Sequence, residues 1–255
     1  ELENKKIRYN FIFLAQHKET MRTMIKMFEI KKPDYVIGNL NKDITSVGIM
    51  FNWSIRVLIH SLKNRNKIFQ NDKNGIVLIH GDAPPAFLGA LMGRMARLKV
   101  GHVESGLRSF NLFNPFPEEI TRILTFKLTD YFFCPDTWAL NNLKKYNGIK
   151  INTRGNTLID SLGLAIKNKS KVKIDIPKDK YCVVTIHRFE NISNKERFED
   201  ILSIIKDVSK HIKVLFILHP PTRRKLESYD FMSLLKKNRN IEFRPRYDYF
   251  DFINF

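Results

Sequence analysis

The 255-residue sequence predicts an α/β fold in which parallel strands alternate with helices. Short runs rich in Ile, Val and Phe recur along the chain, and such runs are typical of strands buried on both faces of a sheet. Longer segments with apolar residues at helical spacing separate these runs. Hydrophobic residues make up 43% of the chain and charged residues 27%, the balance of a globular protein with a substantial core. Together these observations favour the doubly wound α/β class.

Each strand and each helix is predicted from the local spacing of apolar residues. A strand is predicted where apolar residues form a short continuous run, and a helix where they recur every three or four positions. In chain order the predicted elements are strand 8–14, helix 20–30, strand 35–38, helix 44–64, strand 76–80, helix 86–97, strand 100–104, helix 118–128, strand 131–134, helix 137–145, strand 181–186, helix 195–209, strand 214–218 and helix 224–236.

The pattern changes after Gly155-Asn156-Thr157, where a short helical piece leads into a polar stretch and Pro177. This sequence is typical of a hinge. We therefore predict a first domain of about five strands over 1–164 and a second over 165–255. Two predicted strands are too few for a sheet, which typically holds about five or six, so the second domain is interpreted as incomplete. The chain starts on charged residues that run into a strand and stops on an uncapped apolar segment, so both ends are interpreted as cut.

Composition narrows the classes of function. The chain has no run of 18 or more apolar residues and its start lacks a signal peptide's apolar stretch, so we expect a cytoplasmic protein without a membrane span. Cys134 and Cys182 lack CxxC spacing and nearby His ligands, so neither a disulfide nor a zinc site is predicted. The formal charge of +18 could indicate a nucleic-acid surface, but the lysines are scattered, which favours a general compositional bias.

Acidic residues follow two neighbouring predicted strands. Asp82 comes after strand 76–80 and a glycine, and Glu104 ends strand 100–104, close to Gly106. In an open α/β sheet, ligands collect at the carboxyl ends of the strands. An Asp in this position is also an ordinary helix N-cap, so Asp82 alone leaves both interpretations open. The second acid at the same predicted edge favours a functional site.

A proline-rich loop, Asn114-Pro115-Phe116-Pro117, leads into a helix that begins with Glu118 and Glu119. Taken alone, two acids in a first turn are ordinary helix-start chemistry. Taken with Asp82 and Glu104, they supply a third carboxylate to the predicted site. Carboxylates that share a partly desolvated site raise one another's proton affinity and can act as general acids and bases. The pattern therefore predicts a proton transfer carried out by carboxylates.

The second predicted domain has histidines at the ends of both its strands. His187 and Arg188 follow strand 181–186, and His219 follows strand 214–218. Arg offers a fixed fork of donors and His donates or relays a proton, so this edge suits a diphosphate. A single His is more often packed or merely exposed. The residues alone leave an anion-binding edge and coincidence equally open.

These stretches resemble the non-hydrolysing UDP-N-acetylglucosamine 2-epimerases over nearly the whole chain. The most specific part runs from His80-Gly81-Asp82 through Gly101-His102-Val103-Glu104-Ser105-Gly106-Leu107-Arg108 to Pro117-Glu118-Glu119 and Arg122. Flanking matches are Gln16-His17, Gly155-Asn156-Thr157 with Asp160, His187-Arg188 with Glu190-Asn191, and Tyr249-Phe250-Asp251-Phe252. The family's glycine-rich opening strand would precede Glu1, and its Ser-Gly-Gly segment would follow Phe255.

The resemblance implies a GT-B architecture, in which two Rossmann-like doubly wound domains enclose a cleft, with the second domain incomplete in this chain. It implies that Asp82, Glu104 and Glu118 are catalytic carboxylates and that His187 is a catalytic residue at the diphosphate. The substrate-binding residues that it implies are Gln16, His17, Arg108, Arg122, Asn156 and Arg188. His219 is added to this predicted set from its position at the end of strand 214–218. It implies neither a metal nor a redox cofactor.

The chemistry that the resemblance implies is an elimination followed by re-addition. The C2 proton of UDP-N-acetylglucosamine is removed, UDP leaves C1 to give a 2-acetamidoglucal, and UDP adds back with C2 inverted, for surface polysaccharide synthesis. The implied partner is a UDP-sugar, without nucleic acid or membrane, and a homodimer is expected. Three alternatives stay open: a hydrolysing epimerase that releases N-acetylmannosamine and UDP, a GT-B glycosyltransferase, and an inactive sugar-nucleotide-binding fragment. The carboxylate cluster counts against a glycosyltransferase.

Overall fold

The computed structural model describes residues 2–14, 18–38, 47–167 and 175–253. Within these residues every strand ladder is parallel, and helices separate successive strands, so the predicted α/β class is confirmed. The chain divides into two compact units, Glu1–Asp160 and Ser161–Phe255. The dividing point lies inside one helix, which also contains residue 165, where the sequence places its boundary. Among the described residues, no helix combines the length and the apolar character that crossing a membrane requires.

The described residues of unit 1 form two parallel sheets. The smaller sheet pairs β1 (Ile12–Phe13) with β2 (Tyr35–Val36). The larger sheet has the order β3-β4-β5-β6 and consists of β3 (Ile76–His80), β4 (Lys99–Val103), β5 (Tyr131–Cys134) and β6 (Ile149–Asn152). The helices of this part of the chain are α1 (Lys18–Met27), α2 (Val47–Lys63), α3 (Arg65–Ile68), α4 (Pro84–Met95), α5 (Glu118–Leu128), α6 (Thr137–Asn142) and α7 (Leu158–Lys167). Because the strands of the larger sheet are parallel, their carboxyl ends lie along one edge.

The core of unit 1 fixes the helices that follow β3 and β4. Ala86 of α4 packs with Ile79 of β3 and Val100 of β4 in one cluster of buried side chains. Phe126 of α5 and Phe132 of β5 are both fully buried, with ring centroids 6.3 Å apart. Burying a side chain of this size contributes roughly 1.5–3 kcal/mol. This packing holds the first turn of α5 and the ends of β3 and β4 in a defined arrangement.

In the described part of unit 2, the strands form one parallel sheet with the order β7-β8-β9. Its strands are β7 (Tyr181–Thr185), β8 (Lys213–Leu218) and β9 (Ile241–Pro245), and its helices are α8 (Phe189–Ile192), α9 (Lys195–Ser209), α10 (Pro220–Ser228), α11 (Phe231–Lys236) and α12 (Tyr249–Ile253). β8 is the central strand and its last five residues are buried. Phe198 and Leu202 of α9 pack with Phe216 of β8 in the core. Asn194 caps α9 by accepting a hydrogen bond from the Arg197 N–H.

The structure corrects three sequence predictions. Among the described residues, the sheet of unit 2 has three strands and not two. The third strand, β9, is missed from the sequence because Glu242 and Arg244 interrupt its apolar pattern. Glu242 forms an ion pair with Lys213 of the neighbouring strand at 2.7 Å, which offsets its charge. β6 is also additional, and its Ile149 is 57% exposed because it lies on an edge strand. The single helix predicted over 224–236 is two helices, since Asp230 adopts a left-handed conformation with φ of 60° between them.

Candidate active site

The turn after β3 is held by a buried histidine on β4. Gly81 has φ of 72°, and its N–H donates to the carbonyl oxygen of Val103. Nε2 of His102 lies 2.7 Å from the carbonyl oxygen of Gly81, and Nδ1 lies 3.1 Å from Oγ of Ser105. Burial lowers the pKa of His102 to about 4, so the ring is neutral near pH 7. Since a carbonyl oxygen only accepts, Nε2 carries the proton and Nδ1 accepts from the Ser105 hydroxyl.

The turn after β4 presents the carboxylate of Glu104. Glu104 has φ of 62° and Gly106 has φ of 90°, so the chain reverses sharply here. A Cβ at Gly106 would lie far inside contact distance of the Ala139 carbonyl oxygen, so only glycine fits. The Asn156 amide donates to Oε1 of Glu104. The combined effect is a carboxylate in a fixed position at the edge of the sheet.

His80 lies beside the same carboxylate. Its Nε2 is 3.6 Å from Oε2 of Glu104 and 3.1 Å from Oγ1 of Thr157. β3 and β4 are in register with His80 opposite Val103, which places the residues at both strand ends next to each other. Glu104 therefore has an amide on one oxygen and an imidazole close to the other.

The second glutamate at the start of α5 is the most enclosed charge of the site. Glu119 is 0% exposed and accepts hydrogen bonds from Arg108 Nε at 2.5 Å, Arg122 Nη1 at 3.1 Å and the Ser109 N–H at 3.0 Å. Burial alone would raise the pKa of Glu119, but the Ser109, Arg108 and Arg122 donors outweigh burial and lower it to about 2. Glu119 is therefore a permanent anion at neutral pH.

Arg122 connects α5 to the turn after β3. Its Nη2 donates to Oδ2 of Asp82, while Nη1 donates to Glu119. The helix thus brings a guanidinium to the aspartate that follows β3. The guanidinium of Arg122 is therefore half-buried between two carboxylates, those of Asp82 and Glu119.

Several of these side chains line a small, partly open cavity. Its lining consists of Gly81, Asp82, His102, Glu104, Leu107, Arg122 and Phe126. In the part of the chain that the structure describes, no group of three or more His, Cys, Asp and Glu side chains could hold a metal ion.

The structure brings together some of the predicted site residues and separates others. Asp82, Glu104 and Arg122 line the cavity, whereas Glu118 lies outside its lining. Oε2 of Glu118 is buried and has no hydrogen-bond partner among the described residues. Arg108 forms an ion pair with Glu119, and this contact connects it to the site. Gln16 and His17 lie outside the described residues, so their predicted role stays a prediction.

In unit 2, the histidines at the two strand ends meet. The rings of His187 and His219 are stacked, with centroids 4.7 Å apart and planes inclined by 25°. Burial, His187 and Arg246 lower the pKa of His219. Thr222 of α10 donates from Oγ1 to the carbonyl oxygen of Ile186 and so connects the residue after β7 to the helix after β8. Arg188 follows directly and is exposed.

Sequence reasoning missed three functional candidates on unit 1. His80, His102 and Glu119 all stand inside the motif that was singled out, but none was assigned a role. The signal for His80 and His102 was their position in neighbouring strands next to the two acids. Glu118 and Glu119 are adjacent in the chain, and the path of the preceding loop into α5 decides which of them points inward. The sequence does not specify that path.

The chain matches the family model described as UDP-N-acetylglucosamine 2-epimerase over residues 1–255. A UDP-N-acetylglucosamine 2-epimerase of Methanococcus maripaludis is 33% identical over 269 residues, which cover 99% of this chain and 69% of the relative. The enzyme of the same name from Bacillus subtilis is 31% identical over 210 residues, with 81% and 52% covered. This chain therefore corresponds to about half to two thirds of these relatives' length.

Solved structures show the same likeness. The UDP-GlcNAc 2-epimerase of Neisseria meningitidis bound to UDP-GlcNAc has a TM-score of 0.80 and 29% identity, with 99% of this chain and 69% of that chain covered. The Methanocaldococcus jannaschii enzyme in complex with UDP-GlcNAc and UDP has a TM-score of 0.75 and 28% identity, with 98% and 69% covered. These neighbours confirm the predicted GT-B type of fold with Rossmann-like domains. The chain belongs to the UDP-N-acetylglucosamine 2-epimerase family.

Proposed function

We propose that the protein inverts C2 of UDP-N-acetylglucosamine to give UDP-N-acetylmannosamine, by elimination and re-addition of UDP. The observation that carries this proposal is the presence of Asp82 and Glu104 in one cavity at the ends of adjacent parallel strands. Inversion at C2 needs a group that takes a proton from one face of the sugar and a group that returns a proton to the other. Two carboxylates in one cavity match that requirement.

In the proposed reaction, one carboxylate takes the C2 proton and the electrons of the C2–H bond form the C1–C2 double bond. The C1–O bond breaks at the same time, and its electron pair leaves with the diphosphate of UDP. The intermediate is a 2-acetamidoglucal. In the return step the diphosphate oxygen attacks C1, and the other carboxylic acid delivers a proton to the opposite face of C2.

The different surroundings of the two acids support different roles. Asp82 is paired with the guanidinium of Arg122, whereas Glu104 has the Asn156 amide and the His80 ring as neighbours. A carboxylate beside an imidazole that also contacts a hydroxyl group is suited to exchanging a proton with its surroundings. We therefore assign the proton transfer at C2 to Glu104, with Asp82 as the second carboxylate.

Glu118 is proposed to contact the substrate directly. Its buried Oε2 lacks a hydrogen-bond partner among the described residues, and a buried carboxylate oxygen is rarely left in that state. A ligand hydroxyl or amide would supply the missing donor. On unit 2, the stacked His187 and His219 with the exposed Arg188 suit the diphosphate, because imidazole and guanidinium groups donate hydrogen bonds to phosphate oxygens.

We also propose that the protein acts as a homodimer, and α2 offers a surface for it. Phe51, Ile55, Ile59 and Leu62 are exposed and recur at helical spacing, so they form one apolar stripe. Under a two-fold axis near the middle of the helix, Phe51 would meet Leu62 of a second copy and Ile55 would meet Ile59. Such self-complementarity is what an isologous interface needs.

The family likeness supports the remaining parts of the proposal. We infer a cytoplasmic enzyme that acts on a UDP-sugar, needs no nucleic acid, and supplies N-acetylmannosamine units for surface polysaccharides. The scattered lysines argue for a general bias in composition, because a polynucleotide groove would cluster them on one face.

Hydrogen exchange at C2 tests the proposed reaction. The full-length protein is incubated with UDP-N-acetylglucosamine in heavy water, and products are followed by NMR. We expect deuterium at C2 and a mixture of the two UDP-sugars. Free N-acetylmannosamine with UDP would show the hydrolysing reaction instead, and a new glycoside would show transfer. Substrate that keeps all its C2 hydrogen would exclude an epimerase of either kind.

A further inference from the structure

We propose that Glu119 is a positioning residue whose buried carboxylate orients Arg122, so that Arg122 in turn holds Asp82 at the cavity. The proposal rests on the proposed function to the extent that Asp82 is assigned to act on the substrate. Glu119 and Glu118 are neighbours in the same first turn of α5, yet the structure gives them different surroundings. Of these two glutamates, Glu118 alone has a buried oxygen without a hydrogen-bond partner among the described residues.

Glu119 has no capacity left for a substrate. Its Oε1 accepts from Arg108 Nε at 2.5 Å and from the Phe110 N–H at 3.3 Å. Its Oε2 accepts from Arg122 Nη1 at 3.1 Å and from the Ser109 N–H at 3.0 Å. An ionised carboxylate has roughly four acceptor positions, and all are filled by the protein. A fully buried group with this arrangement fixes its donors and does not exchange protons with a ligand.

Arg122 transmits that fixed position to Asp82. Nη1 is bound to Glu119 and Nη2 to Asp82, and both nitrogens belong to one planar group. When one edge of the plane is held, the direction of the other edge is set. The exposed fraction of the side chain rises from 0% at Glu119 through 15% at Arg122 to 37% at Asp82. Glu119 is therefore the buried end of this series of ion pairs, and Asp82 is the end that faces the cavity.

Arg108 keeps other contacts when Glu119 is altered, which separates its behaviour from that of Arg122. Its guanidinium carbon lies 4.9 Å from the ring centroid of Phe110. That cation–π contact does not depend on the Glu119 carboxylate. Without the Glu119 carboxylate, Arg122 would keep its ion pair with Asp82 but lose the one that anchors it to Glu119. Arg122 and Asp82 could then change orientation together.

The first experiment compares the kinetics of Glu119→Gln, Glu119→Asp and Arg122→Lys in the full-length protein. We expect Glu119→Gln to lower kcat by about 10–100-fold per folded molecule, because a small misplacement of reacting groups costs up to about 10²-fold. KM should change by less than about threefold. Glu119→Asp keeps the charge and should recover part of kcat. Glu199→Gln, which alters an exposed carboxylate on α9, is the matched control and should leave kcat unchanged.

The double variant Glu119→Gln/Arg122→Lys shows whether the effect passes through Arg122. If it does, adding Glu119→Gln to Arg122→Lys should lower kcat by less than about twofold further. Fully multiplicative effects would overturn the proposal. So would a Glu119→Gln protein with unchanged kcat, since a merely structural role would lower the melting temperature and leave turnover per folded molecule intact.

A readout without turnover keeps this test separate from the proposed function. In the unmodified protein, NMR should show slow rotation of the Arg122 Nη1 group, and Arg122→Lys should delete this signal. Glu119→Gln should let the Nη1 group rotate freely, while Nη2 keeps its bond to Asp82. A freely rotating Arg122 in the unmodified protein would overturn the positioning role even if no variant folds. If Arg122 is restrained but no C2 exchange occurs, the proposed reaction fails and the positioning role stands.

Discussion

The imidazole of His102 lies with Nε2 2.7 Å from the carbonyl oxygen of Gly81, joining the end of β4 to the turn after β3. The ring is fully enclosed, and its Nδ1 faces the Ser105 hydroxyl. A neutral ring satisfies both neighbours with one donor and one acceptor. A protonated ring would have two N–H donors. The Ser105 hydroxyl would then have to accept a hydrogen bond from Nδ1 where it donates one to the neutral ring.

This relationship predicts how stability depends on pH. The pKa of His102 is about 4 in the folded chain and about 6.5 when unfolded, so between these values the unfolded chain binds the extra proton. The contribution of neutral His102 to the free energy of unfolding is therefore fully present above about pH 6.5. It is lost as the pH falls towards 4, which lowers that free energy by an amount on the order of 3 kcal/mol. Urea unfolding across this range should show the decline, and His102→Gln should remove most of it. His211→Gln, at an exposed histidine, should keep the slope. Equal slopes in all three proteins would contradict the assignment.

Gly106 sets the position of Glu104, and a second prediction follows from its conformation. Its φ of 90° and the nearness of the Ala139 carbonyl oxygen leave no room for a Cβ. Gly106→Ala should lower the free energy of unfolding by about 1–3 kcal/mol and reduce kcat by moving the Glu104 turn. Gly163→Ala is the matched control, because nothing lies within 4 Å of its Cβ position on α7. That change should be neutral or stabilise by up to about 1 kcal/mol.

Thermal melting of both glycine variants measures the first part, and turnover measures the second. A Gly106→Ala protein as stable and as active as the unmodified one would show that the turn relaxes without moving Glu104. A destabilised protein with unchanged turnover would separate the strain at Gly106 from the position of the carboxylate.

The proximity of Asp82 and Glu104 could be predicted because it follows from topology alone. Parallel strands end at one edge, so acids directly after two neighbouring strands lie close together whatever the surrounding side chains are. The separate fates of Glu118 and Glu119 could not be predicted. Adjacent helix positions point about 100° apart, and the loop before α5 decides which one faces inward. The sequence also hid β9, since Lys213, the cross-strand partner of Glu242, is known only once β8 is placed beside it.

The assignment of Glu104 to the C2 proton gives a third prediction. Glu104→Gln keeps the size of the side chain and its contact with Asn156 but removes the carboxylate that would take or return the C2 proton. Turnover should fall by about 10² or more with little change in substrate affinity, because a general acid or base contributes typically 10²–10⁴-fold. Steady-state kinetics and calorimetric binding of UDP-N-acetylglucosamine check both parts. Glu199→Gln serves as the control on an exposed carboxylate. Normal turnover in Glu104→Gln would move the proton transfer to another residue.

The apolar stripe of α2 gives the last prediction. Phe51 is 67% exposed at one end of the stripe, and Leu62 would cover it in the proposed two-fold arrangement. Phe51→Asp places a charge against that leucine twice in each dimer, so sedimentation or light scattering should show a monomer where the unmodified protein is a dimer. Ile204→Asp changes a comparably exposed apolar residue, 63% exposed on α9, and should leave the dimer intact. An unmodified protein that is monomeric would mean that another segment or partner covers the stripe. A dimer that survives Phe51→Asp would place the interface elsewhere.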